Sequence, residues 1–477
     1  MAASEFRELA HQLVDQIGDF LDALPEQPLT PAESPKQVRE LLDSARPLPE
    51  TGAPADALLK NTARLLFKHS LHNGHPLFLG YITSSAAPLG MLADLLAASV
   101  NPNVGKWDLS PVASEIEAQA VRWLAELIGY PVDCGGIMVS GGNMANMLGF
   151  FAARRARAGW NIRAKGLQGE TRQLTVYASR ETHTWVEKAA DISGLGTDAI
   201  RWVETNSQQQ IDLSALERQI NADRTNGDLP FLLIGTAGNV STGAVDPIGA
   251  LASVARENDL WFHVDGAYGA PAAALPDAPA DLHLLRGADS VALDPHKWLY
   301  NPIEAACTLV RNPQHLQDAF SFRPPYYAFD EDEPEPGNDY FSMGLQNTRG
   351  FRALKVWLTL QNIGRSGYVD MIRNDIALAQ YLYEAADKHA ELEACTQNLS
   401  LTTFRYVPPD EIFDDEQLND LNTALLASLQ KGGQAFLSNA IVGGKYLLRA
   451  CFVNFRTTKG DVDKLIEIVV CIGRELR

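Results

Sequence analysis

The stretch SVALDPHKWLY, residues 290–300, places a histidine and a lysine directly after a short apolar run. A run of this length and composition is typical of a buried strand. Most lysines are solvated surface charges, but Lys297 is flanked by Leu293, Trp298 and Leu299. Desolvation lowers the pKa of a lysine and makes its amine a nucleophile. We therefore predict that Lys297 belongs to a chemical site at the end of a core strand.

Runs of the same kind recur through the middle of the chain and alternate with amphipathic helices. Helical periodicity covers residues 114–128 and 143–157, and the other β-rich runs are LTVYAS (174–179), FLLIGTAG (231–238), LWFHVDGA (260–267) and ACTLVR (306–311). Near-continuous apolar strands that alternate with helices indicate a largely parallel sheet covered on both faces. The fold class is therefore α/β, and its sites are expected at the carboxyl ends of the strands.

The chain is predicted to have three parts. Residues 1–85 form a helical arm, interrupted by four prolines between 25 and 35, with helical periodicity again over 37–70. This arm is too thin to bury a core, so it should pack on another surface, and a partner subunit is one candidate. Residues 86–375 form the large α/β domain, and residues 376–477 form a smaller α+β domain. The proline-rich and acidic stretch 323–340 is predicted to be a surface loop.

Composition excludes several functions. The 477 residues are 46% hydrophobic, enough for a large core, and the net charge is −19. An acidic chain is a poor ligand for nucleic acid or an anionic membrane. Five scattered cysteines without CxxC spacing favour a reducing, cytoplasmic compartment and argue against disulfides or a metal site. We expect no signal peptide, because no basic and then apolar segment starts the chain, and no spanning helix, because no apolar run reaches about 18 residues.

Three further features fall at predicted strand ends, and each has an ordinary alternative. The glycine pair in VSGGNMANMLGFFAARR (139–155) precedes a helix, which suits either an anion cradle or simple fold punctuation. Asp265 in WFHVDGAYGAP (261–271) could cap a helix or hold a heterocyclic nitrogen protonated, with Ala267 leaving room for a flat ring. His183 follows LTVYAS, and a lone histidine is more often structural than catalytic.

Together these features match the needs of a phosphorylated pyridine aldehyde. The phosphate would bind at the helix N-terminus, and the lysine would form a Schiff base with the aldehyde. The aspartate would pair with the pyridinium nitrogen, and the histidine would stack on the ring. The sequence therefore predicts a pyridoxal-phosphate enzyme.

Six motifs give the chain a specific resemblance, from about residue 60 to the end. It resembles the group II pyridoxal-phosphate-dependent amino-acid decarboxylases, the family of the aromatic-L-amino-acid, histidine, glutamate and cysteine-sulfinate decarboxylases. This resemblance implies a fold-type I transferase-like architecture with a mostly parallel seven-stranded sheet, and a homodimer. The motifs are HPLFLGY (75–81), SPVASEIE (110–117), SGGNMAN (140–146), GTAGNVSTGAVDPI (235–248), HVDGAYG (263–269) and DPHKWLYNP (294–302).

The resemblance also implies a role for individual residues. Lys297 would be the aldimine lysine, Asp265 would bind the pyridine nitrogen, and His183 would stack over the ring. Tyr326, in the acidic stretch, would protonate the quinonoid carbon, with its neighbour Tyr327 as the alternative donor. The remaining implied contacts are Gly142 and Asn143 in the phosphate cradle, Asn239, Ala267, Asp294 and His296 at the cofactor, and Tyr81, Ser84 and Arg449 at the substrate.

Two of these positions depart from the family pattern. Asn143 stands where serine or threonine is usual, so an amide N–H would replace a hydroxyl at the phosphate. Asn239 and Val240 replace a pair of threonines.

The implied activity is decarboxylation of an L-amino acid to its amine, with an aromatic substrate favoured. Two alternatives stay open: another outcome on the same scaffold, such as an aminotransferase or an oxidative aldehyde synthase, or a non-catalytic binding protein. In the family, phenylalanine at the loop tyrosine or asparagine at the stacking histidine accompanies oxidative products. Tyr326 and His183 therefore favour decarboxylation, and the intact Lys297 argues against a non-catalytic protein.

Overall fold

The computed structural model describes residues 1–322, 337–410 and 412–477. The chain divides into two compact units. The first unit contains Met1–Tyr81, Gln380–Thr396 and Thr402–Arg477, and the second contains Ile82–Ala379 and Gln397–Leu401. The division into an arm, a large domain and a small domain at residues 85 and 375 stays a prediction.

Helices make up much of both units. In chain order they are α1 (Ala3–Ala23), α2 (Pro35–Leu41), α3 (Ala55–His69), α4 (Pro88–Val100), α5 (Pro111–Leu127), α6 (Gly142–Arg157), α7 (Ile162–Lys165), α8 (Trp185–Ile192), α9 (Leu213–Asn226), α10 (Ile248–Glu257), α11 (Gln314–Phe320), α12 (Ala353–Lys388), α13 (Asp415–Gly432) and α14 (Lys459–Glu475). Their ends follow local chemistry. For example, Asp212 accepts a hydrogen bond from the backbone of Ala215 at the start of α9, and Gly227 takes a left-handed conformation at its end.

The strands form two sheets. In chain order they are β1 (Gly135–Val139), β2 (Leu174–Ser179), β3 (Ile200–Val203), β4 (Leu229–Thr236), β5 (Trp261–Asp265), β6 (Ser290–Leu293), β7 (Ala306–Val310), β8 (Leu392–Asn398), β9 (Leu401–Tyr406), β10 (Ser438–Val442) and β11 (Lys445–Cys451). The seven-stranded sheet has the order β1-β7-β6-β5-β4-β2-β3, and the four-stranded sheet has the order β10-β11-β9-β8.

The seven-stranded sheet of the second unit confirms the predicted α/β class. Its pairs β2/β3, β2/β4, β4/β5 and β5/β6 are parallel, whereas β7 runs antiparallel to both β1 and β6. The strands β1, β2, β5, β6 and β7 are buried along their whole length, as expected for a sheet covered on both faces. The carboxyl ends of β2, β4, β5 and β6 therefore meet at one edge.

Helix α6 packs closely on the middle of this sheet. A Cβ atom built on Gly149 would lie 2.7 Å from the His263 ring on β5, so only glycine fits at this crossing. The core between α6 and the sheet includes the large side chains Phe150, Trp185, Phe231 and Trp261. This packing fixes the start of α6 relative to the carboxyl ends of the central strands.

The first unit combines the N-terminal helices with the four-stranded sheet, in which β10 and β11 are antiparallel. Phe20 on α1 stacks on Phe67 of α3, with ring centroids 4.5 Å apart. Leu79 donates its backbone N–H to Phe436 and accepts from Cys451, both at 2.9 Å. No helix in the described part of the chain is both long enough and apolar enough to cross a bilayer.

Candidate active site

A cavity of about 290 Å³ opens in the second unit where the carboxyl ends of the parallel strands meet the start of α6. Its volume lies near the lower end of the roughly 300–1,000 Å³ range of ligand pockets. It is lined by Ile82, Gly141, Gly142, Asn143, Asn146, Glu181, His183, Thr236, Gly238, Val240, Asp265, Ala267, Tyr268, Asp294, His296 and Lys297. A larger cavity of about 690 Å³ beside α11 is lined mainly by arginine and apolar side chains, and none of the predicted site residues that the structure describes lines it. The smaller cavity is therefore the candidate site.

Lys297 lies just beyond the end of β6 and is largely buried. Its Nζ is 3.1 Å from Oδ2 of Asp294, and 23% of its side chain is exposed. Two of the residues that follow it are anchored to α12. Trp298 Nε1 and Tyr300 Oη both donate hydrogen bonds to Asp375 on this helix, at 2.9 and 2.6 Å. The lysine thus projects into the cavity from a rigid segment.

Asp265 is the last residue of β5 and is held by two N–H donors. The indole Nε1 of Trp185 donates to its Oδ2 at 2.8 Å, and the backbone of Ala267 donates to its Oδ1 at 3.2 Å. Trp185 begins α8 and is fully buried, so its ring cannot turn away. These donors fix the direction in which the carboxylate faces the cavity.

Two histidines face the cavity with defined tautomers. The Nδ1 atom of His183 accepts from the backbone of Trp185 at 3.2 Å, and that of His296 accepts from Ala305 at 3.1 Å. A neutral ring in either place therefore has its proton on Nε2. Desolvation lowers the pKa of both rings, although Asp265 opposes this at His183 and Asp294 opposes it at His296. Both histidines are thereby favoured as neutral donors near pH 7.

The start of α6 leaves little space for side chains. Gly141 precedes the helix without a side-chain cap, and a Cβ on Gly142 would lie 2.6 Å from Asp294 Oδ2. The first N–H groups of a helix lack partners within it, and they favour an anion. Asn143, whose side chain replaces the usual hydroxyl, also lines the cavity at this point.

A buried chain of hydrogen bonds supports this end of α6. Trp261 Nε1 donates to Ser290 Oγ at 2.8 Å, and an indole can only donate, so the serine proton points to His263 Nδ1 at 2.7 Å. His263 Nε2 then donates to Asn146 Oδ1 at 2.8 Å, and Asn146 donates to the Gly142 carbonyl at 2.9 Å. Complete burial lowers the pKa of His263 to about 4, so the ring is neutral.

The cavity suits a ligand that brings polar groups. Asp294 Oδ1 and Thr236 Oγ1 are buried and have no hydrogen-bond partner within the described part of the chain. Both residues line the cavity, and buried polar atoms are normally satisfied, so a ligand is the natural partner. A lysine amine, a carboxylate fixed at a strand end and a helix N-terminus together fit a phosphorylated pyridine aldehyde.

Two predicted residues lie near the cavity without lining it. Ser84 Oγ donates to the His296 carbonyl at 2.9 Å and so supports the histidine–lysine segment. Asn239 uses its side chain in the local turn, where Oδ1 accepts from the backbone of Thr242 at 2.8 Å and Nδ2 donates to Gln209 at 3.0 Å. Its neighbours Gly238 and Val240 line the cavity instead. The structure therefore does not bring the Asn239 side chain to the cavity.

The remaining predicted residues lie outside the second unit or outside the described chain. Tyr81 and Arg449 belong to the first unit, where Nη2 of the buried arginine donates to the Tyr81 carbonyl at 3.2 Å. Tyr326 falls outside the described residues. Substrate binding by Tyr81, Ser84 and Arg449 and proton donation by Tyr326 stay predictions.

Several site residues escaped the sequence analysis. Trp185 lies two positions after His183, and its contact with Asp265 joins segments 80 residues apart. Asn146 lies one turn into α6, where helical position alone gives no sign of the His263 bond. Thr236 could have been found, because it lies near the end of the predicted run 231–238, and in the structure it ends β4 beside Asp265 of the parallel strand β5.

The fold and the cavity together define a class: an α/β enzyme with a lysine-bound heterocyclic cofactor at the carboxyl ends of its strands. The model of the pyridoxal-dependent decarboxylase conserved domain matches residues 35–407. The chain belongs to this family, its cofactor is pyridoxal 5'-phosphate, and it is a carboxy-lyase.

Individual relatives cover nearly the whole chain. It is 33% identical to an aromatic-L-amino-acid decarboxylase of Bacillus atrophaeus, over 100% of this chain and 97% of that protein. It is 30% identical to a phenylacetaldehyde synthase of Petunia hybrida, over 93% and 89%. The crystal structure of Oryza sativa TDC with PLP and tryptamine matches with a TM-score of 0.92 and 27% identity, over 100% and 99% of the two chains.

Proposed function

We propose that this enzyme decarboxylates an aromatic L-amino acid to the corresponding amine and carbon dioxide. The observation behind this proposal is the meeting of Lys297, Asp265 and the start of α6 at one cavity. Relatives named for aromatic substrates, among them the Bacillus atrophaeus decarboxylase, support the substrate class.

Each cavity residue has a task in this proposal. Lys297 holds the cofactor covalently, the start of α6 with Asn143 receives its phosphate, and His183 covers the ring. When bound, the cofactor supplies the electron sink for the bonding electrons that the departing carboxylate leaves behind. Asp265 keeps the ring nitrogen protonated, and Trp185 holds the carboxylate in place for that task. Because these groups are fixed before the reaction, they stabilise developing charge without reorganisation.

Lys297→Ala tests the proposal most directly. The variant should fold, lose the visible absorbance band of the lysine-bound cofactor, and form no amine. Lys388→Ala is a suitable control, because this exposed lysine ends α12 and does not line the cavity. Aromatic amino acids should then be compared with glutamate, cysteine sulfinate and diaminobutyrate for amine formation. Retained turnover in Lys297→Ala, or amine from acidic substrates alone, would contradict the proposal.

A second outcome on the same scaffold is favoured by one observation, the 30% identity to a phenylacetaldehyde synthase. An oxidative enzyme would release aldehyde, ammonia and peroxide rather than amine. The presence of Tyr326 and His183 in the sequence favours the amine. Measurement of amine and peroxide from the same reaction separates the two activities.

We also propose that the enzyme works as a homodimer. Helix α4 exposes a row of large apolar side chains, since Leu92, Leu95, Leu96 and Val100 are each about half or more exposed. Exposed apolar patches of this kind mark interaction surfaces. Leu95→Arg with Leu96→Arg should yield monomers in sedimentation, whereas Ile192→Arg, at the exposed last residue of α8, should not. An active wild-type monomer would refute the dimer.

We also propose that the enzyme is located in the cytoplasm. It is supported by the five cysteines, all of which are free thiols. Fractionation of cells that express the chain tests it, and recovery in an oxidising compartment would refute it.

A further inference from the structure

Asp294 is placed where an anion of the cofactor would be expected. It follows β6, its side chain is 1% exposed, and its Oδ2 lies 3.1 Å from Lys297 Nζ. The same oxygen is only 2.6 Å from the position of a Cβ on Gly142, the first residue of α6. A carboxylate therefore occupies the uncapped start of the helix.

The carboxylate is only partly satisfied there. Its Oδ1 is buried without a hydrogen-bond partner in the described part of the chain, and His296 Nε2 stays 3.7 Å from Oδ2. The titratable groups that interact with it are His296 and Lys297 on its own segment, His183 before α8 and Cys307 on β7. Lys297 is the one permanent cation in this set. The ion pair with that lysine is thus the main compensation for the buried negative charge.

Cofactor binding changes this balance of charge. The bonding of Lys297 to the aldehyde, as an imine or a protonated imine, is common to every aldehyde ligand, with or without a phosphate. At the same time a phosphate arrives at the start of α6, so two anions would share one helix N-terminus. Like charges in a buried site favour protonation of one of them.

We propose that Asp294 couples cofactor binding to proton uptake: the carboxyl takes one proton from solvent as the phosphate binds, and its hydroxyl then donates to the phosphate. The phosphate accounts for one proton taken up by Asp294, and any proton that the Lys297 ammonium releases on bonding to the aldehyde is common to ligands with and without a phosphate. This inference rests on the proposed function, because it assumes that the cavity holds the phosphorylated cofactor. Its consequence is that the gain in affinity from the phosphate falls as pH rises.

The test compares pyridoxal phosphate with pyridoxal, which lacks the phosphate but bonds to the same lysine. Proton uptake is measured at pH 8 by titration calorimetry in two buffers of different ionisation enthalpy. At this pH the free phosphate is already a dianion, since its second pKa is about 6. The wild type should take up about one proton more with pyridoxal phosphate than with pyridoxal. Equal proton counts for the two ligands would overturn the proposal without any need for a variant.

Asp294→Asn is the informative variant, because an amide donates to phosphate without taking up a proton. The extra proton uptake should vanish in this variant. Compared with the wild type, its dissociation constant for pyridoxal phosphate should rise tenfold less with each pH unit. At pH 8 it should bind pyridoxal phosphate at least about tenfold more tightly than the wild type, and pyridoxal equally well. Glu181→Gln removes another cavity carboxylate and should keep the wild-type proton count.

The outcomes also separate this inference from the proposed function. An equal gain for both ligands in Asp294→Asn would place the effect on Lys297 rather than the phosphate and would overturn the coupling. Weaker binding of pyridoxal phosphate at every pH would overturn it as well. Failure of the wild type to bind pyridoxal phosphate, or to form amine, would instead refute the proposed function.

Discussion

Replacement of Gly142 by alanine tests the closest contact in the cavity. A new Cβ would lie 2.6 Å from Asp294 Oδ2 and 3.3 Å from Cγ and Oδ1. To reach an ordinary contact of about 3.4 Å the carboxylate must retreat by about 0.8 Å, and forced movements of this kind in packed interiors cost about 1–3 kcal/mol. Because Asp294 is buried and paired with Lys297, the free energy of unfolding of the cofactor-free protein should fall by this amount.

The adjacent glycine supplies a matched control. Gly141 has extended backbone angles that any residue adopts, and a Cβ there would meet only the His296 ring, at 3.9 Å. Both changes reduce the conformational entropy of the unfolded chain, which stabilises the folded protein by about 0.4–1 kcal/mol in each case. The difference in free energy of unfolding between the two variants therefore isolates the clash. Urea unfolding of both cofactor-free variants measures it. Equal stability of Gly142→Ala and Gly141→Ala would refute the geometry. Weaker cofactor binding by Gly141→Ala alone would place the phosphate against that residue.

Three further changes test the site and its support. Asp265→Asn should raise the activation barrier by several kcal/mol, because fixed charges in sites without water contribute most to catalysis. A fall in kcat of less than about tenfold would contradict the proposed role of Asp265. Tyr326→Phe should keep cofactor and substrate binding, lose amine formation and gain aldehyde and peroxide; an unchanged amine rate would exclude this residue as the proton donor. His263→Asn tests how stability depends on pH. Because burial lowers the pKa of His263 from 6.5 to about 4, the unfolded chain takes up a proton at this residue more readily than the folded protein does. The free energy of unfolding therefore falls by about 3 kcal/mol as the pH drops from above 6.5 toward 4. The stability difference between His263→Asn and the wild type should therefore shrink by about 2 kcal/mol between pH 7 and pH 5.

The fold was predictable where burial made the strands uniformly apolar. The predicted run LTVYAS coincides with β2, the run at 231–238 overlaps β4, and the apolar run that begins the stretch 290–300 overlaps β6. Strand β3 was not predicted, because it has only four residues and its two central side chains, Arg201 and Trp202, are half-buried. Strand β8 was also missed, because most of its residues are half-buried and several are polar.

The N-terminal helices were predicted less well. Helical periodicity over residues 37–70 suggested one long element, but α2 ends at Leu41 and α3 begins only at Ala55. Three prolines and a glycine between residues 47 and 54 break the helix there, and apolar spacing alone did not show the interruption.

The candidate site was predictable to the extent that its residues lie at strand ends or in motifs. Lys297, Asp265, His183 and the start of α6 reach one cavity, because parallel strands deliver their carboxyl ends to the same edge. Asn239 shows the limit of this reasoning, since its position in a motif did not reveal that its amide completes a turn. A motif identifies a segment of the chain, whereas the direction of each side chain depends on its neighbours in space.

Asp375 illustrates a dependence that no local pattern could reveal. It lies on α12, 77 and 75 residues beyond Trp298 and Tyr300, and it accepts a hydrogen bond from each of them. Burial raises the pKa of this carboxyl to about 7, so its ionised form is costly to maintain in the core. That cost is tolerated where two donors converge on one acceptor, and here both donors lie within three residues after Lys297. The nucleophile found first in the sequence is thus positioned by a helix whose sequence carries no sign of chemistry.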